Sequence, residues 1–338
     1  MIVNAIRQNI NISQAIAESL RLEMEADERV LVIGEDVGQQ GGVFGSTRGL
    51  QRAFGANRVL DTPISEMAFT GMAVGLAMEG YRPVIEIMFA DFVGVCLEQI
   101  FNAIAKNPYM SGGSVSMPVV IKTAGGAIGS AAQHSQTLWG LYAHLPGLRV
   151  VAPSNPHDSK GLMAAAVQSD DPVVFIEHKG LLLQKAAAFT HGTEVPKERY
   201  AVPLDRANIV REGRDLTIVT LSANVGHALE AAGVLAADGI DVEVLDLRSI
   251  VPLDWATITS SLSKTRRLLV VDEDYLGFGL SGEIIAGAIE RLGLGGLDQA
   301  ARHGLANVPV PASISLEQAV LPSAASIVRA VRELEAAR

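Results

Sequence analysis

The chain is organised around one stretch, which reads DTPISEMAFTG over residues 61–71. Pro63 disfavours a helical conformation at the residue before it, so a helix cannot enter this stretch from upstream. Ser65 is a good N-cap and residues 67–79 contain no proline, so we expect a helix that begins beside Glu66. A carboxylate at a helix N-terminus is usually just a favourable charge, worth roughly 0.3–1 kcal/mol. The neighbours of Glu66 are apolar, however, which predicts a buried side chain.

The helix after Glu66 contains two glycines four positions apart, Gly71 and Gly75. Each interior glycine costs about 1 kcal/mol of helix stability relative to alanine. We therefore expect another backbone to pack very closely against this helix. A buried carboxylate beside such a contact indicates a functional site, an interface, or both.

Length and composition favour a two-domain α/β protein. The chain has 338 residues, of which 49% are hydrophobic and 19% charged, so it can form large cores and a subunit interface. Its net charge of −10 argues against a nucleic-acid partner. The single cysteine, Cys96, excludes a disulfide framework and is predicted to be a core residue. Without a signal or transit pattern or a long apolar run, we expect a cytoplasmic protein with no membrane segment.

Strand and helix patterns alternate along the chain, which predicts mostly parallel sheets covered by helices on both faces. In the first half we predict helices at 12–26, 92–106 and 157–169 and strands at 30–34, 83–88, 118–123, 149–152 and 173–177. In the second half we predict strands at 215–221, 241–247 and 267–272 and helices at 225–238, 281–292 and 323–338. Between the two halves this alternation of strand and helix patterns is absent. We therefore predict domains at 1–185 and 206–338 joined by a linker at 186–205.

Two glycine-rich segments follow predicted strands. The first, residues 37–49, matches neither the dinucleotide-binding pattern nor the P-loop pattern and is predicted to be a mobile loop. The second, residues 125–129, leads to His134. Ligands gather at the carboxyl ends of strands in open α/β sheets, so Glu66 and His134 are candidates for an acid–base pair near Phe92. A structural or capping role for His134 stays open.

The sequence lacks the motifs that would indicate a transition-metal site or a serine hydrolase. The sequence contains no H-E-x-x-H and no C-x-x-C spacing, which argues against a transition-metal site. It also contains no G-x-S-x-G, which argues against a serine hydrolase of that type.

Five motifs occur in the order and at the intervals that are found in one family of proteins. They are DTPISEMAFTGMAVG (61–75), FADFVGVCLEQI (89–100), AAQHSQ (131–136), HLPGLRVVAPSNPHDSKGL (144–162) and DDPVVFIEHK (170–179). Over nearly its whole length the chain resembles the β subunit of the thiamine diphosphate-dependent decarboxylating component of 2-oxo acid dehydrogenase complexes. The motifs are most similar to those of acetoin dehydrogenase β subunits, then to pyruvate ones. The branched-chain type typically has a different residue where Gln133 stands.

The resemblance implies a pyrimidine-binding α/β domain followed by a transketolase-like C-terminal domain. It also implies thiamine diphosphate bound between subunits, with this chain at the aminopyrimidine end. Glu66 matches the glutamate that hydrogen-bonds ring nitrogen N1′, and Phe92 matches the aromatic residue that stacks on the ring, with Met88 on the same strand end. His134 matches the histidine that faces the substrate and the lipoyl group. Glu35 matches an acid near the tunnel between paired active sites.

The resemblance further implies a potassium site formed mainly by backbone carbonyl groups, at Val119, Ala166, Val167, Ser169 and Asp171. Members of the family often have aspartate where this chain has Ser169, so any support from that side chain is lost. The Gly-Asp-Gly segment that binds the magnesium diphosphate is absent, and Ala237-Asp238-Gly239 lies at a predicted helix end. The chain therefore carries half a site. We expect an α subunit to supply the other half and the magnesium ion, in an assembly of two α and two β chains.

The reaction that the resemblance implies is cleavage of acetoin or decarboxylation of a small 2-oxo acid, followed by acyl transfer to a lipoyl group of an acyltransferase component. Three alternatives stay open. The chain could serve a branched-chain enzyme, or form half of a split transketolase that uses the same glutamate without lipoyl transfer. It could also be a non-catalytic partner in which Glu66 is a helix-end acid.

Overall fold

Two sheets flanked by helices form the fold in the computed structural model, which describes residues 7–336. The strands are β1 (Val30–Gly34), β2 (Val59–Asp61), β3 (Arg82–Ile87), β4 (Val120–Gly125), β5 (Arg149–Val151), β6 (Val173–His178), β7 (Asn208–Arg211), β8 (Leu216–Thr220), β9 (Val242–Asp246), β10 (Ser249–Val251), β11 (Arg267–Tyr275) and β12 (Gln299–Leu305). The helices are α1 (Ile12–Ala26), α2 (Leu50–Phe54), α3 (Glu66–Met78), α4 (Val93–Glu98), α5 (Ala105–Met110), α6 (Trp139–Ala143), α7 (Pro156–Gln168), α8 (Asn224–Ala237), α9 (Trp255–Thr265), α10 (Leu280–Leu292), α11 (Ile314–Val320) and α12 (Ala324–Ala336). Within the described range, no helix has the length and apolarity needed to span a membrane.

The first sheet has the strand order β10-β5-β6-β4-β3-β1-β2. All neighbours in it are parallel except β10, which runs antiparallel to β5. The second sheet has the order β12-β11-β8-β9-β7, and β7 is its one antiparallel strand within residues 7–336. The prediction of mostly parallel α/β sheets is therefore confirmed. β10 was not predicted, because an edge strand this short has no hydrophobic periodicity of its own.

The two sheets share one hydrophobic core. Ile85 of the first sheet belongs to the same buried cluster as Leu245 and Leu268 of the second. The segment at 186–205 is not a free tether, because Val195 and Val202 are buried. The domain boundaries at 185 and 206 stay predictions. Residues 1–6 of the predicted first domain and 337–338 of the predicted last helix lie outside the described residues.

The long predicted strands and helices are confirmed, with one exception. The segment predicted as a single helix at 92–106 consists of a 3₁₀ turn (Ala90–Phe92), α4, a π-helical turn (Gln99–Ile104) and α5. The break has a local cause, since Cys96 has φ −121° and ψ 15°, outside the helical range. Cys96 is fully buried, as predicted for a core residue. The patterns also missed α2, β2, α6, β7, α9, β12 and α11, of which most are short.

The expectation about Gly71 and Gly75 is wrong within this chain. A Cβ atom at Gly71 would lie 3.1 Å from the side-chain oxygen of Gln99, and one at Gly75 would meet no atom within 4 Å. No backbone of the described residues packs closely there. The same helix exposes Met67 by 54% and Met72 by 41%. A helix that is apolar on its outer face as well as its inner one needs a further partner.

Candidate active site

Glu66 is the first residue of α3, and its 8% exposure agrees with its apolar neighbours. Among residues 7–336 no hydrogen bond to its carboxylate is formed. Ser65 occupies the N-cap position, but its side chain does not cap the helix. Its Oγ donates to the carbonyl oxygen of Pro63 at 3.0 Å, a local hydrogen bond that competes with capping. The predicted side-chain cap is therefore wrong, while the predicted helix start is right.

Glu35 follows β1, and its carboxyl group lies close enough to Glu66 for their charges to interact. Burial, and then the charge of Glu66, raise the pKa of Glu35, and a hydrogen bond from the backbone of Ser65 opposes the shift. Its Oε1 atom is buried without a hydrogen-bond partner. Both desolvation and a neighbouring negative charge favour the protonated carboxyl group. The structure thus brings these two predicted site residues together.

Three rings line the same edge of the sheet. The ring centroid of His134 lies 4.8 Å from that of Phe89 and 5.5 Å from that of Phe92, and both contacts are edge-on. The two phenylalanine rings also meet edge-on at 5.3 Å. Met88 is half-buried at the end of β3, beside them. Phe92 and His134 are therefore brought together as predicted. The contribution of Phe89 was missed, although its position three residues before Phe92 was a usable signal.

Cys96 connects Glu66 to the aromatic cluster. Its thiol donates a long hydrogen bond, 3.9 Å, to the carbonyl oxygen of Phe92. Burial, with a further contribution from the charge of Glu66, raises the pKa of this thiol to about 11. The carboxylate of Glu66 is therefore near Cys96 in the first turn of α4, the helix that follows Phe92.

The backbone fixes the position of His134. Ala131 has a left-handed φ of 64°, and a 3₁₀ turn covers Ala132–His134. The ammonium group of Lys179 donates to the carbonyl oxygen of His134. Gln136 donates its side-chain amide to Asp91 Oδ1 at 2.8 Å. The imidazole ring itself stays half-exposed, so it is held in place but accessible.

Comparison with known proteins decides the family. Residues 8–184 match the transketolase pyrimidine-binding domain, and residues 205–327 match the transketolase C-terminal domain. The chain is 44% identical to the acetoin:2,6-dichlorophenolindophenol oxidoreductase subunit beta of Cupriavidus necator, over 96% of this chain and 97% of that protein. It is 41% identical to the pyruvate dehydrogenase E1 component subunit beta of Rickettsia conorii, over 96% and 98%. The chain belongs to the E1 β-subunit family. A solved split-gene transketolase, an inactive β4 tetramer, shares the fold at a TM-score of 0.79, with 23% identity over 96% of this chain and 98% of that one.

Two carboxylates from the second half of this E1 β-type chain hold the glycine-rich turn before His134. The backbone N–H of Gly129 donates to both oxygens of Glu317, at 3.0 and 2.8 Å. The N–H of Ala127 donates to Glu273 Oε1 at 3.1 Å, and Glu273 Oε2 lies 2.9 Å from His178 Nε2. Both carboxylates are buried. Sequence reasoning missed them as site residues, because they lie far along the chain from the turn they hold.

A buried charged group anchors the first glycine-rich segment. Lys122 Nζ lies 3.0 Å from a carboxylate oxygen of Glu86 and 3.0 Å from one of Glu177. Ser46 donates to Glu177 at 3.1 Å, and a Cβ at Gly42 would lie 3.0 Å from Glu86 Oε1. The predicted loop is therefore present. The hydrogen bond from Ser46 to Glu177 holds the middle of the loop against the sheet. Burial raises the pKa of Glu177, and the single ammonium of Lys122 opposes that shift.

The residues matched to a potassium site lie together, at the end of α7 and the starts of β4 and β6. Their carbonyl oxygens were predicted to bind the ion. Each of these oxygens accepts a hydrogen bond from within the chain, and two accept it from the guanidinium group of Arg82. A carbonyl oxygen has two lone pairs, so one hydrogen bond each does not exclude an ion. The potassium site at Val119, Ala166, Val167, Ser169 and Asp171 stays a prediction.

The residues around Glu66 do fit the pyrimidine half of thiamine diphosphate. Glu66 is a buried carboxylate that receives no hydrogen bond from residues 7–336, so it can accept one from a ring nitrogen. The rings of Phe92 and Phe89 present aromatic surface at the same edge of the sheet. Asp238, the acid nearest to a Gly-Asp-Gly pattern, ends α8 and pairs with Arg332 at 2.7 Å.

Proposed function

We propose that this chain is the β subunit of a thiamine diphosphate-dependent dehydrogenase of the acetoin or pyruvate type. Its substrate would be acetoin or a small 2-oxo acid, and its product an acyl unit carried by a lipoyl group. The observation that carries the proposal is Glu66, a buried carboxylate without a donor among residues 7–336, at the same edge of the sheet as the contacting rings of Phe92 and His134. The 44% identity to the acetoin oxidoreductase β subunit of Cupriavidus necator supports the choice of substrate class.

Each site residue has a distinct proposed role. Thiamine diphosphate, when bound, supplies a nucleophilic carbon and accepts the negative charge left by bond cleavage. Glu66 holds a proton at ring nitrogen N1′, and Phe92 and Met88 cover the pyrimidine ring. His134 gives or takes a proton at a substrate oxygen or a lipoyl sulfur, which an imidazole can do near pH 7. Glu35 stays protonated over a wider pH range than an ordinary glutamate, so it can relay a proton beside Glu66.

An α subunit would complete the site by binding the diphosphate and the magnesium ion. The missing Gly-Asp-Gly segment supports this partner, as does the apolar surface beside Glu66. Ile64 is 86% exposed, Met67 54% and Met72 41%, and the surface around Gly75 is open. Exposed apolar patches of this kind are typical of subunit interfaces. We propose two α and two β chains and a lipoyl-bearing acyltransferase as the next partner, and a cytoplasmic location stays a prediction.

The function is tested by reconstituting the chain with an α subunit that contains a Gly-Asp-Gly segment. Acetoin, pyruvate and a branched-chain 2-oxo acid are offered in turn, and acylation of a lipoyl domain is followed by mass spectrometry. Acylation from acetoin or pyruvate supports the proposal. Faster acylation from the branched-chain acid would move the chain to that enzyme. Ketol transfer between sugars without lipoyl acylation would favour the split-transketolase alternative.

The missing diphosphate site predicts weak cofactor binding by the isolated chain. Without an α subunit, the chain should bind thiamine diphosphate with a Kd at least about 100-fold higher than the complex, which corresponds to about 2.7 kcal/mol of lost contacts. Isothermal titration calorimetry with and without magnesium measures both values. Tight, magnesium-dependent binding by the isolated chain would contradict the half-site proposal.

Removal of Glu317 should loosen the turn that leads to His134. We expect Glu317→Ala to lower turnover of the α–β complex by about 10-fold or more, because small displacements of catalytic groups are costly. Glu317→Gln keeps one acceptor oxygen for the N–H of Gly129 and should recover most of that loss. Glu290→Ala removes a carboxylate that is 77% exposed and serves as the matched control. Equal turnover in all four proteins would exclude a positioning role for Glu317.

A further inference from the structure

Lys179 directly follows β6 and is only 6% exposed, so its ammonium group is buried. Lysines are almost never fully buried unless a partner compensates their charge. No carboxylate of residues 7–336 forms an ion pair with this ammonium, and its hydrogen bond within that range goes to the carbonyl oxygen of His134. Its Nζ atom also lies 5.1 Å from the ring centroid of Phe89, which is the distance of a cation–π contact. A buried charge with so few partners costs stability, which indicates a functional role.

Asp91 holds the same segment two residues further along. Its Oδ1 atom accepts the side-chain amide of Gln136 at 2.8 Å and the backbone N–H of Gln136 at 3.4 Å. Its Oδ2 atom is buried and has no hydrogen-bond partner among residues 7–336. Asp91 lies in the 3₁₀ turn that ends at Phe92. These hydrogen bonds therefore join the turn that carries Phe92 to the turn that carries His134.

The charges that face Lys179 come from both halves of the chain. Burial lowers the pKa of Lys179, and the negative charges of Asp91, Glu273 and Glu317 oppose that shift. Glu273 and Glu317 are the two carboxylates that hold the glycine-rich turn before His134. The ammonium group and the three carboxylates that face it thus all bind the chain close to His134, on one side of it or the other.

We propose that Lys179 and Asp91 are positioning residues that hold His134 in the orientation needed for acyl transfer. Lys179 binds the carbonyl group of residue 134 and Asp91 binds the amide groups of residue 136, so opposite charges restrain successive parts of one turn. Hydrogen bonds with a charged partner are stronger than neutral ones. A displacement of about 1 Å at a catalytic group can cost about 10²-fold in rate. This inference rests on the proposed function, because acyl transfer is the step proposed for His134.

Lys179→Met keeps the apolar stem of the side chain and removes the ammonium group. In the reconstituted α–β complex we expect acylation of a lipoyl domain to fall by about 10-fold or more, while hydrogen exchange at C2 of bound thiamine diphosphate stays within about 2-fold of wild type. Lys179→Arg restores the charge and the donors and should recover most of the loss. Equal losses in both rates, or no recovery by arginine, would show that Lys179 only supports the fold and would overturn the proposal.

Asp91→Ala removes the acceptor for the amide groups of Gln136, whereas Asp91→Asn keeps one oxygen for them. The alanine variant should show the same selective loss of acylation, and the asparagine variant a smaller one. Because both residues restrain one turn, the loss in the double variant Lys179→Met/Asp91→Ala should be smaller than the product of the two single losses. Single losses that simply multiply would overturn the proposal. If Lys179→Met does not fold, the selective loss in Asp91→Ala still decides the matter, and its absence would overturn the proposal.

Amide hydrogen exchange of the chain without cofactor tests the restraint itself. The segment 131–137 should exchange at least about 5-fold faster in Lys179→Met and in Asp91→Ala than in wild type, while strand β9 keeps its rate. Lys185→Met, at an exposed lysine further along the chain, is the matched control and should change neither exchange nor acylation. Unchanged exchange at 131–137 would overturn the proposal. A wild-type complex that acylates no lipoyl domain would instead contradict the proposed function, and the exchange at 131–137 would still show whether these charges hold the turn.

Discussion

Glu66→Gln should lower turnover of the reconstituted α–β complex by about 10²–10⁴-fold, the range for loss of a proton-transfer group. This corresponds to roughly 3–5 kcal/mol added to the activation barrier. Glutamine preserves the shape of the side chain and can still accept a hydrogen bond. It cannot stabilise a proton at ring nitrogen N1′ as an anion does. Steady-state kinetics at saturating thiamine diphosphate measure the loss.

Stability should hardly change in the same variant. Within residues 7–336, Glu66 accepts no hydrogen bond whose loss could unfold the chain. The favourable interaction with the start of α3, roughly 0.3–1 kcal/mol, is lost, but so is the repulsion from Glu35. Glu79→Gln, at the exposed other end of α3, is the matched control and should keep full turnover. Normal turnover of Glu66→Gln would show that Glu66 is a helix-end acid.

The features of the site that were predictable have local signals. Pro63 and the helix-compatible run after it locate the start of α3, and therefore Glu66, to within a residue. The glycine-rich turn after a strand locates His134 at the same edge of the sheet. Motif resemblance then suggests what these residues do. These signals suffice because each depends on a few consecutive residues.

The features that were missed depend on contacts between distant segments. Glu317 contacts Gly129, and Arg82 contacts Val167. No sequence motif predicts either contact. Strand β10 belongs to the second half of the sequence but pairs with β5 of the first sheet. No hydrophobic periodicity in the sequence indicates this pairing. Such pairings are set by the fold as a whole, so they become visible only in three dimensions.

Gly71 illustrates a different limit. The glycine spacing predicts close packing on α3, but within residues 7–336 no backbone meets Gly71 or Gly75. The glycines in a sequence can indicate a close contact, but they do not identify the molecule that makes it. The exposed face of α3 is therefore the surface on which we expect the proposed α subunit to pack.

His134→Ala should separate two steps of the reaction. The position of residue 134 is fixed through its backbone, by Lys179 and by the 3₁₀ turn, so replacing the ring should leave the loop in place. The ring contacts Phe89 and Phe92 by its edge, and their loss should cost little stability. Gln133→Ala, on the exposed neighbouring residue, is the matched control for any effect of the turn itself.

The two steps are followed in one α–β preparation. In the proposed mechanism, hydrogen exchange at C2 of bound thiamine diphosphate depends on Glu66 and not on His134, so we expect it to stay near normal in His134→Ala. Acylation of a lipoyl domain requires a proton at an oxygen or sulfur atom, and it should fall by about 10²-fold or more. The ratio of the two rates therefore identifies the step in which the imidazole acts. Equal losses in exchange and acylation, or unfolding of the variant, would mean that His134 supports the structure of the site and carries no proton.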